Sequence, residues 1–271
     1  WEGLSLYIDE LNIPYVIRCH GSWSVLEHYF NYPNVKQGKV YSEHLAFAKS
    51  KNNIAISKYS KKINQEIFNL ENPVTIYNGI NTSVFAPDPD SSIIPQSIFY
   101  FGNLSHEKGA DDAADIFESI FKNFPKSTLH FIGNTNEYNL KFKKKYSAVL
   151  FTAMIFHGQK ETQNVVNLLR KAEIVIFPSK GETFGLALAE SMSVGKAVVA
   201  SKIPVFQEIV ENGENGFLAD DNIDFVDRIT MIFKDELQRK VIEKMSRQTI
   251  IERFGSEKCL DDTIKYYKEI I

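Results

Sequence analysis

The chain has 271 residues, 44% of them hydrophobic and 24% charged, a composition that suits a folded protein with a real core and one large or two modest domains. Its 31 Lys and Arg against 34 Asp and Glu leave a formal charge of −3, which gives no electrostatic reason to expect nucleic acid as a partner. The longest apolar stretch, 148–156, is too short to span a bilayer. Cys19 and Cys259 stand far apart without metal-ligand spacing, so free thiols in a reducing cytosol are expected, with a disulfide as the alternative.

Short β-branched or aromatic runs alternate with longer amphipathic stretches, the pattern of βαβ units in an α/β fold with a parallel sheet. In chain order, strands are predicted over 14–17, 53–56, 74–77, 97–101, 128–132, 154–156, 174–177, 197–200 and 216–218. Helices fit between most of them, among others over 110–124 and 162–171. The turn pair Asn78-Gly79 and the Pro-, Asp- and Ser-rich run 85–92 mark a break. A short first α/β segment (1–80), a linker (81–92) and a complete second domain (93–255) are therefore expected. Residues 256–271 form a last helix, with Leu260, Ile264, Tyr267 and Ile271 at helical spacing, and this helix is expected to return to the first domain. The basic run from Lys141 to Lys145 reads as a solvated helix face. Its sharper reading is a weak attraction to anionic lipid, a peripheral contact of a cytoplasmic protein with the inner membrane face.

In open parallel sheets ligands bind beyond the carboxyl ends of strands, so the residues that follow strands carry the functional reading. The strongest feature joins the strand 174–177 through Pro178, Ser179, Lys180 and Gly181 to Glu182, Thr183, Phe184, Gly185, Leu186 and Glu190. It predicts a buried strand, a turn and a helix opening near Phe184 or Gly185, whose first N–H groups form an anion site. A glycine at that point lets a diphosphate approach the backbone. Two carboxylates eight residues apart, about 12 Å if the span were helical, suit hydroxyl pairs on either side of it. A second strand, 97–101, feeds Gly102, Asn103, His106, Lys108 and Gly109, where Lys108 meets phosphate as a point charge. The third, 14–17, feeds Arg18, Cys19, His20 and Gly21.

Together these residues resemble the retaining glycosyltransferases of family 4, which have the GT-B fold of two Rossmann-like domains. The most specific match is the E-x7-E element, Glu182 to Glu190. It is joined by Tyr77-Asn78-Gly79-Ile80-Asn81, Phe156-His157-Gly158-Gln159, the strand from Gly195 to Ala200, and Glu208 leading to Asn212-Gly213 and Asn215-Gly216. The order runs in register from about residue 12 onward. By that resemblance Glu190 binds the ribose diol. Glu182, with Thr183, Phe184 and Gly185, holds the transferred sugar, and Gly185, Leu186 and Lys108 face the diphosphate. Gly158 and Gln159 line the base pocket, and His20 reaches toward the sugar. The implied reaction moves a hexose from a UDP- or GDP-sugar to a glycan or lipid-linked hydroxyl with retention, needing no metal or other cofactor. Asp88-Pro89-Asp90 has the spacing of a metal motif but falls in the linker.

Two departures stand out. The family usually places an arginine where this chain has Asn103, a charge-assisted contact of about 1.5–3 kcal/mol that Lys180 or Arg18 must supply. The family also carries a substantial portion ahead of the His20-Gly21 strand, which here lies close to the first residue. A catalytically inactive nucleotide-sugar-binding or partner subunit and a glycoside hydrolase are the competing readings. The hydrolase needs carboxylates about 5–10 Å apart around one bond and has no use for the phosphate-facing turns.

Overall fold

The computed structural model describes residues 15–22, 24–25, 37–135 and 137–271, which form two compact units. Pro14, the expected opening of the first strand, lies outside the described residues.

In the first unit, strands β1 (Ile17–Cys19), β2 (Asn53–Ala55) and β3 (Val74–Thr75) run parallel in that order, with helices α1 (Gln37–Lys49) and α2 (Lys58–Phe68). Ser57 starts α2 by accepting the Ser60 N–H, and Asn69 ends it at φ 51°, the left-handed geometry that asparagine tolerates. Phe47 and Phe68 stack at 4.2 Å in a small core with Cys19 and Leu70. The terminal helix, Ser256–Ile270, belongs to this unit. Its tie is Arg18, whose guanidinium donates to the carbonyls of Ile76 (3.2 Å) and Tyr77 (2.9 Å), to Asn78 Oδ1 (3.4 Å) and to Thr263 Oγ1 (3.5 Å). Arg18 thus lies inside β1 rather than beyond it. The expectation that it could stand in for the missing arginine is corrected, because its donors already join the break after β3 to the terminal helix. Cys19 and Cys259 are buried free thiols, and burial pushes that of Cys19 up to about 11.

The second unit, Ile80–Gly255, holds six parallel strands: β4 (Ser97–Phe101), β5 (Thr128–Ile132), β6 (Met154–Gly158), β7 (Ile174–Phe177), β8 (Ala197–Ser201) and β9 (Phe217–Ala219). Their spatial order is β6-β5-β4-β7-β8-β9. The chain therefore works outward from β4 in one direction, then restarts beside β4 with β7 and works outward in the other. Between β4 and β7 lies the switch point at which such sheets hold ligands.

Strands buried on both faces read as continuous apolar runs, as β4, β7 and β8 do. On one face Ile98, Tyr100, Leu129, Phe131, Ile174, Ile176 and Val199 meet helices α3 (Ala110–Asn123) and α8 (Asn222–Lys234), with Phe117, Ile120, Phe225 and Ile229 at the centre. Helices α4 (Tyr138–Lys145), α5 (Ala148–Thr152), α6 (Thr162–Lys171), α7 (Leu186–Ser193) and α9 (Glu236–Thr249) complete the unit. A π-turn, Ile250–Phe254, follows α9, and the Phe254 carbonyl accepts the Ile80 N–H.

Residues 81–92 fall within this unit. The Phe85 carbonyl accepts from Ser193 Oγ (2.7 Å) and from the Arg247 guanidinium (3.1 Å). In the basic run, Lys141 and Lys145 pair with Asp111 and Asp115 of α3 at 2.6 Å each, so some of the expected solvated face is bound to protein. No described helix is long and apolar enough to cross a membrane.

Candidate functional site

Two glycine-hinged loops meet at the switch point. The first follows β4 and runs from Gly102 to Gly109; the second follows β7 and runs from Pro178 to Gly185. Gly109, at φ +69°, brings the loops into backbone contact, since a Cβ there would lie 1.9 Å from the Pro178 carbonyl oxygen. The Lys180 N–H donates to the Glu107 carbonyl at 2.9 Å and ties them further. After the adjacent strand β5, Gly133 permits a similar approach, where a Cβ would stand 2.1 Å from the Gly102 carbonyl oxygen. Asn103 Oδ1 accepts the Asn134 N–H at 3.3 Å. Asn103 thus links the loops after β4 and β5.

Beneath the first loop sits Tyr100. Its ring is in the core, and its hydroxyl lies 2.9 Å from the Asn103 carbonyl and 3.2 Å from that of Lys108, so one phenol spans both ends of the loop. A tyrosine in an otherwise apolar strand needs such a partner, which is the signal that could have singled it out in the sequence. Tyr100→Phe is expected to lower the unfolding free energy by about 1–2 kcal/mol, read from a urea melt.

The loops deliver Lys108 and Glu182 to each other: Lys108 Nζ stands 2.6 Å from Glu182 Oε1. Ser179 Oγ donates to the same oxygen at 3.4 Å. Glu182 is the more enclosed partner, with 17% of its side chain exposed against 38% for Lys108, so the ammonium is the end that solvent or a ligand reaches more easily. This ion pair was not foreseen in the sequence.

Helix α7 begins at Leu186, slightly later than expected, because Gly185 takes φ +92° and serves as its N-cap without any side-chain cap. A Cβ on Gly185 would lie 2.6 Å from Phe206 Cε1, so the glycine is required by packing as well as by conformation. Glu182 therefore lies outside the helix, and the 12 Å helical spacing to Glu190 does not apply; Glu190 stands about 6 Å along the axis from Leu186. Leu186 and Glu190 share one face of the helix, and Leu186 is 48% exposed. Among the described residues, burial is the one cause that pushes the Glu190 carboxyl up to about 7.

Gly158 ends β6 at φ +72°, with open space where a Cβ would stand, and Gln159 beside it is exposed. Strands lie about 4.8 Å apart, so the end of β6, two strands from β4, lies about 10 Å to the side of the first loop. Thr183 and Phe184 belong to the second loop, with Phe184 buried against Phe254. His20 follows β1 in the first unit and is exposed; partial burial and the Arg18 charge hold its imidazole below the usual range.

Lys180, the other candidate for the missing cation, turns toward His106 Nε2 (2.9 Å) and Asp112 (3.7 Å). There it borders a cavity of about 590 Å³ with Asp112, Lys202, Asp220 and Phe225. Neither Glu182 nor Glu190 lines this cavity, and the partners of the Lys180 ammonium are His106 and Asp112.

A family model described as "Glycosyl transferases group 1" matches residues 94–249. An uncharacterized glycosyltransferase of Methanocaldococcus jannaschii is 28% identical over 280 residues, covering 98% of this chain and 71% of that relative. The N-acetyl-alpha-D-glucosaminyl L-malate synthase of Bacillus anthracis is 22% identical over 207 residues, covering 73% of this chain and 54% of the relative, so the chain spans about half of its length. Among solved structures, Anabaena HepE in complex with UDP-glucose superimposes with a TM-score of 0.83 at 20% identity, covering 98% of this chain and 75% of that one. That likeness shows the GT-B fold.

Proposed function

The chain belongs to the glycosyl transferases of group 1, and on that premise we propose that it moves a hexose from a nucleoside-diphosphate sugar to a hydroxyl of a glycan or lipid-linked acceptor, with retention at the anomeric carbon. The observation that carries this reading is the meeting of two glycine-hinged loops at the sheet's switch point, with a cation, a carboxylate and an uncapped helix start together.

The diphosphate lies against the N–H groups of Gly185 and Leu186, where the helix dipole favours negative charge, and Lys108 faces its oxygens. Glu190 accepts from the ribose diol; among the described residues burial alone sets its carboxyl, which it pushes up to about 7. The base extends toward Gly158 and Gln159, at a lateral distance that suits a nucleoside. Glu182 receives hydroxyls of the transferred sugar.

In the reaction the bond from the anomeric carbon to the phosphate oxygen breaks. The acceptor oxygen bonds to that carbon on the same face, and its proton passes to the leaving diphosphate. Lys108 and the amides of α7 stabilise the negative charge that develops there. His20 is assigned to the sugar by the family resemblance alone, and Asn103 keeps the first loop in place instead of contributing charge.

Purified protein supplied with labelled UDP- and GDP-sugars in EDTA tests this reading. Transfer or slow hydrolysis that yields the α-configured product from an α-configured donor is expected. Binding with neither reaction would instead mark an inactive nucleotide-sugar-binding subunit, and an inverted product would refute retention.

A further inference from the structure

Resting on the site reading just given, we infer that Glu182, as the counter-ion of Lys108, also lowers affinity for the bare nucleoside diphosphate and so makes the site favour the sugar-bearing donor over the product. The basis is the 2.6 Å contact between Lys108 Nζ and Glu182 Oε1. Lys108, the cation that the first loop delivers to the second, is already matched by a carboxylate, and Lys180 of the second loop is engaged with His106 and Asp112.

A diphosphate that takes Lys108 must share it with Glu182 or displace it. Sharing places two anions on one ammonium. Displacement leaves a carboxylate with 17% side-chain exposure holding, among the described residues, the long Ser179 hydrogen bond of 3.4 Å, a poor exchange for an ion pair. Either course weakens the binding of a bare diphosphate. A donor that carries its sugar brings hydroxyls to Glu182, and hydroxyl donors restore what the carboxylate loses. Once the sugar has left, the penalty returns, Lys108 goes back to Glu182, and the product is released more readily.

Glu182→Gln keeps the side chain's shape and removes its charge. It is expected to bind UDP or GDP about fivefold more tightly than the parent, the size of a partly exposed ion pair. It should bind the corresponding nucleotide sugar no more tightly, so that the ratio of the two affinities falls. Asp112→Asn removes the same charge from the neighbouring Lys180 pair and is expected to leave the ratio unchanged, which separates a specific counter-ion from a general change of field. Isothermal titration of the parent and both variants with UDP, GDP and their glucose and mannose conjugates reads all of this. If Glu182→Gln binds the bare diphosphates no better than the parent, the counter-ion role is overturned. If the parent binds none of these compounds, the site reading fails first and the inference falls with it.

Discussion

Gly109→Ala is expected to destabilise the second unit by at least about 3 kcal/mol and to abolish nucleotide binding. Two effects add. At φ +69° an alanine pays the left-handed penalty, and its Cβ would stand 1.9 Å from the Pro178 carbonyl oxygen, a backbone atom with no rotamer to change. The loops must separate, and the separation pulls Lys108, next in sequence, away from Glu182. Gly158→Ala supplies the control. That glycine has φ +72°, almost the same conformation, but nothing lies within 4 Å of its would-be Cβ, so only the conformational cost of about 1–2 kcal/mol applies. Urea melts of the two variants should therefore differ widely. Equal losses would mean that the contact between the loops is softer than the geometry implies.

Glu190→Gln is expected to stabilise the protein at pH 8 while weakening nucleotide binding. The sign follows from the carboxyl, which burial pushes from an ordinary 4.5 up to about 7. Between those values the folded chain holds a proton that the unfolded chain has released, so stability falls as pH rises through that window and stays low above it. A glutamine has no such cost, and a gain of about 1–3 kcal/mol is expected at pH 8, discounted for partial exposure, with none at pH 4. Binding runs the other way. A charged carboxylate is the better acceptor for a diol, so affinity for the nucleoside diphosphate should rise from pH 6 toward pH 8 in the parent, and this rise should be smaller in the variant, which keeps only the titration of the phosphate itself. Residues that carry a site at the expense of stability behave in this way. A variant less stable than the parent at pH 8 would show that Glu190 has a structural partner.

Much of the fold was legible because the signal was local. Five strands of the second unit, β4, β5, β7, β8 and β9, fall within one residue of their predicted spans, since buried parallel strands announce themselves as apolar runs bounded by turn residues. What could not be read was the lateral order of the strands. That order depends on helix crossovers, and it decides that the loops after β4 and β7 are neighbours although about 75 residues separate them. The Lys108–Glu182 pair and the Gly109–Pro178 contact exist only because of that order, which is why the glycines looked like turn residues and nothing more. Arg18 misled for the opposite reason. A positive residue near a strand end suggests a ligand, yet here the strand runs further, to Cys19, and the guanidinium is taken up by carbonyls at 2.9 and 3.2 Å. Asn103, where an arginine was expected, is a loop tie whose partner, Asn134, lies 31 residues on.

The most direct measurement is a titration of isotopically labelled protein with UDP and with GDP, followed by backbone amide resonances. If the helix start at the switch point cradles a diphosphate, the amides of Gly185 and Leu186 shift first and furthest, with Lys108 and Glu190 moving at the same half-saturation. Shifts confined to the cavity bordered by Lys202, Asp220 and Phe225, with Gly185 and Leu186 unmoved at saturation, would place the nucleotide elsewhere and contradict the assignment.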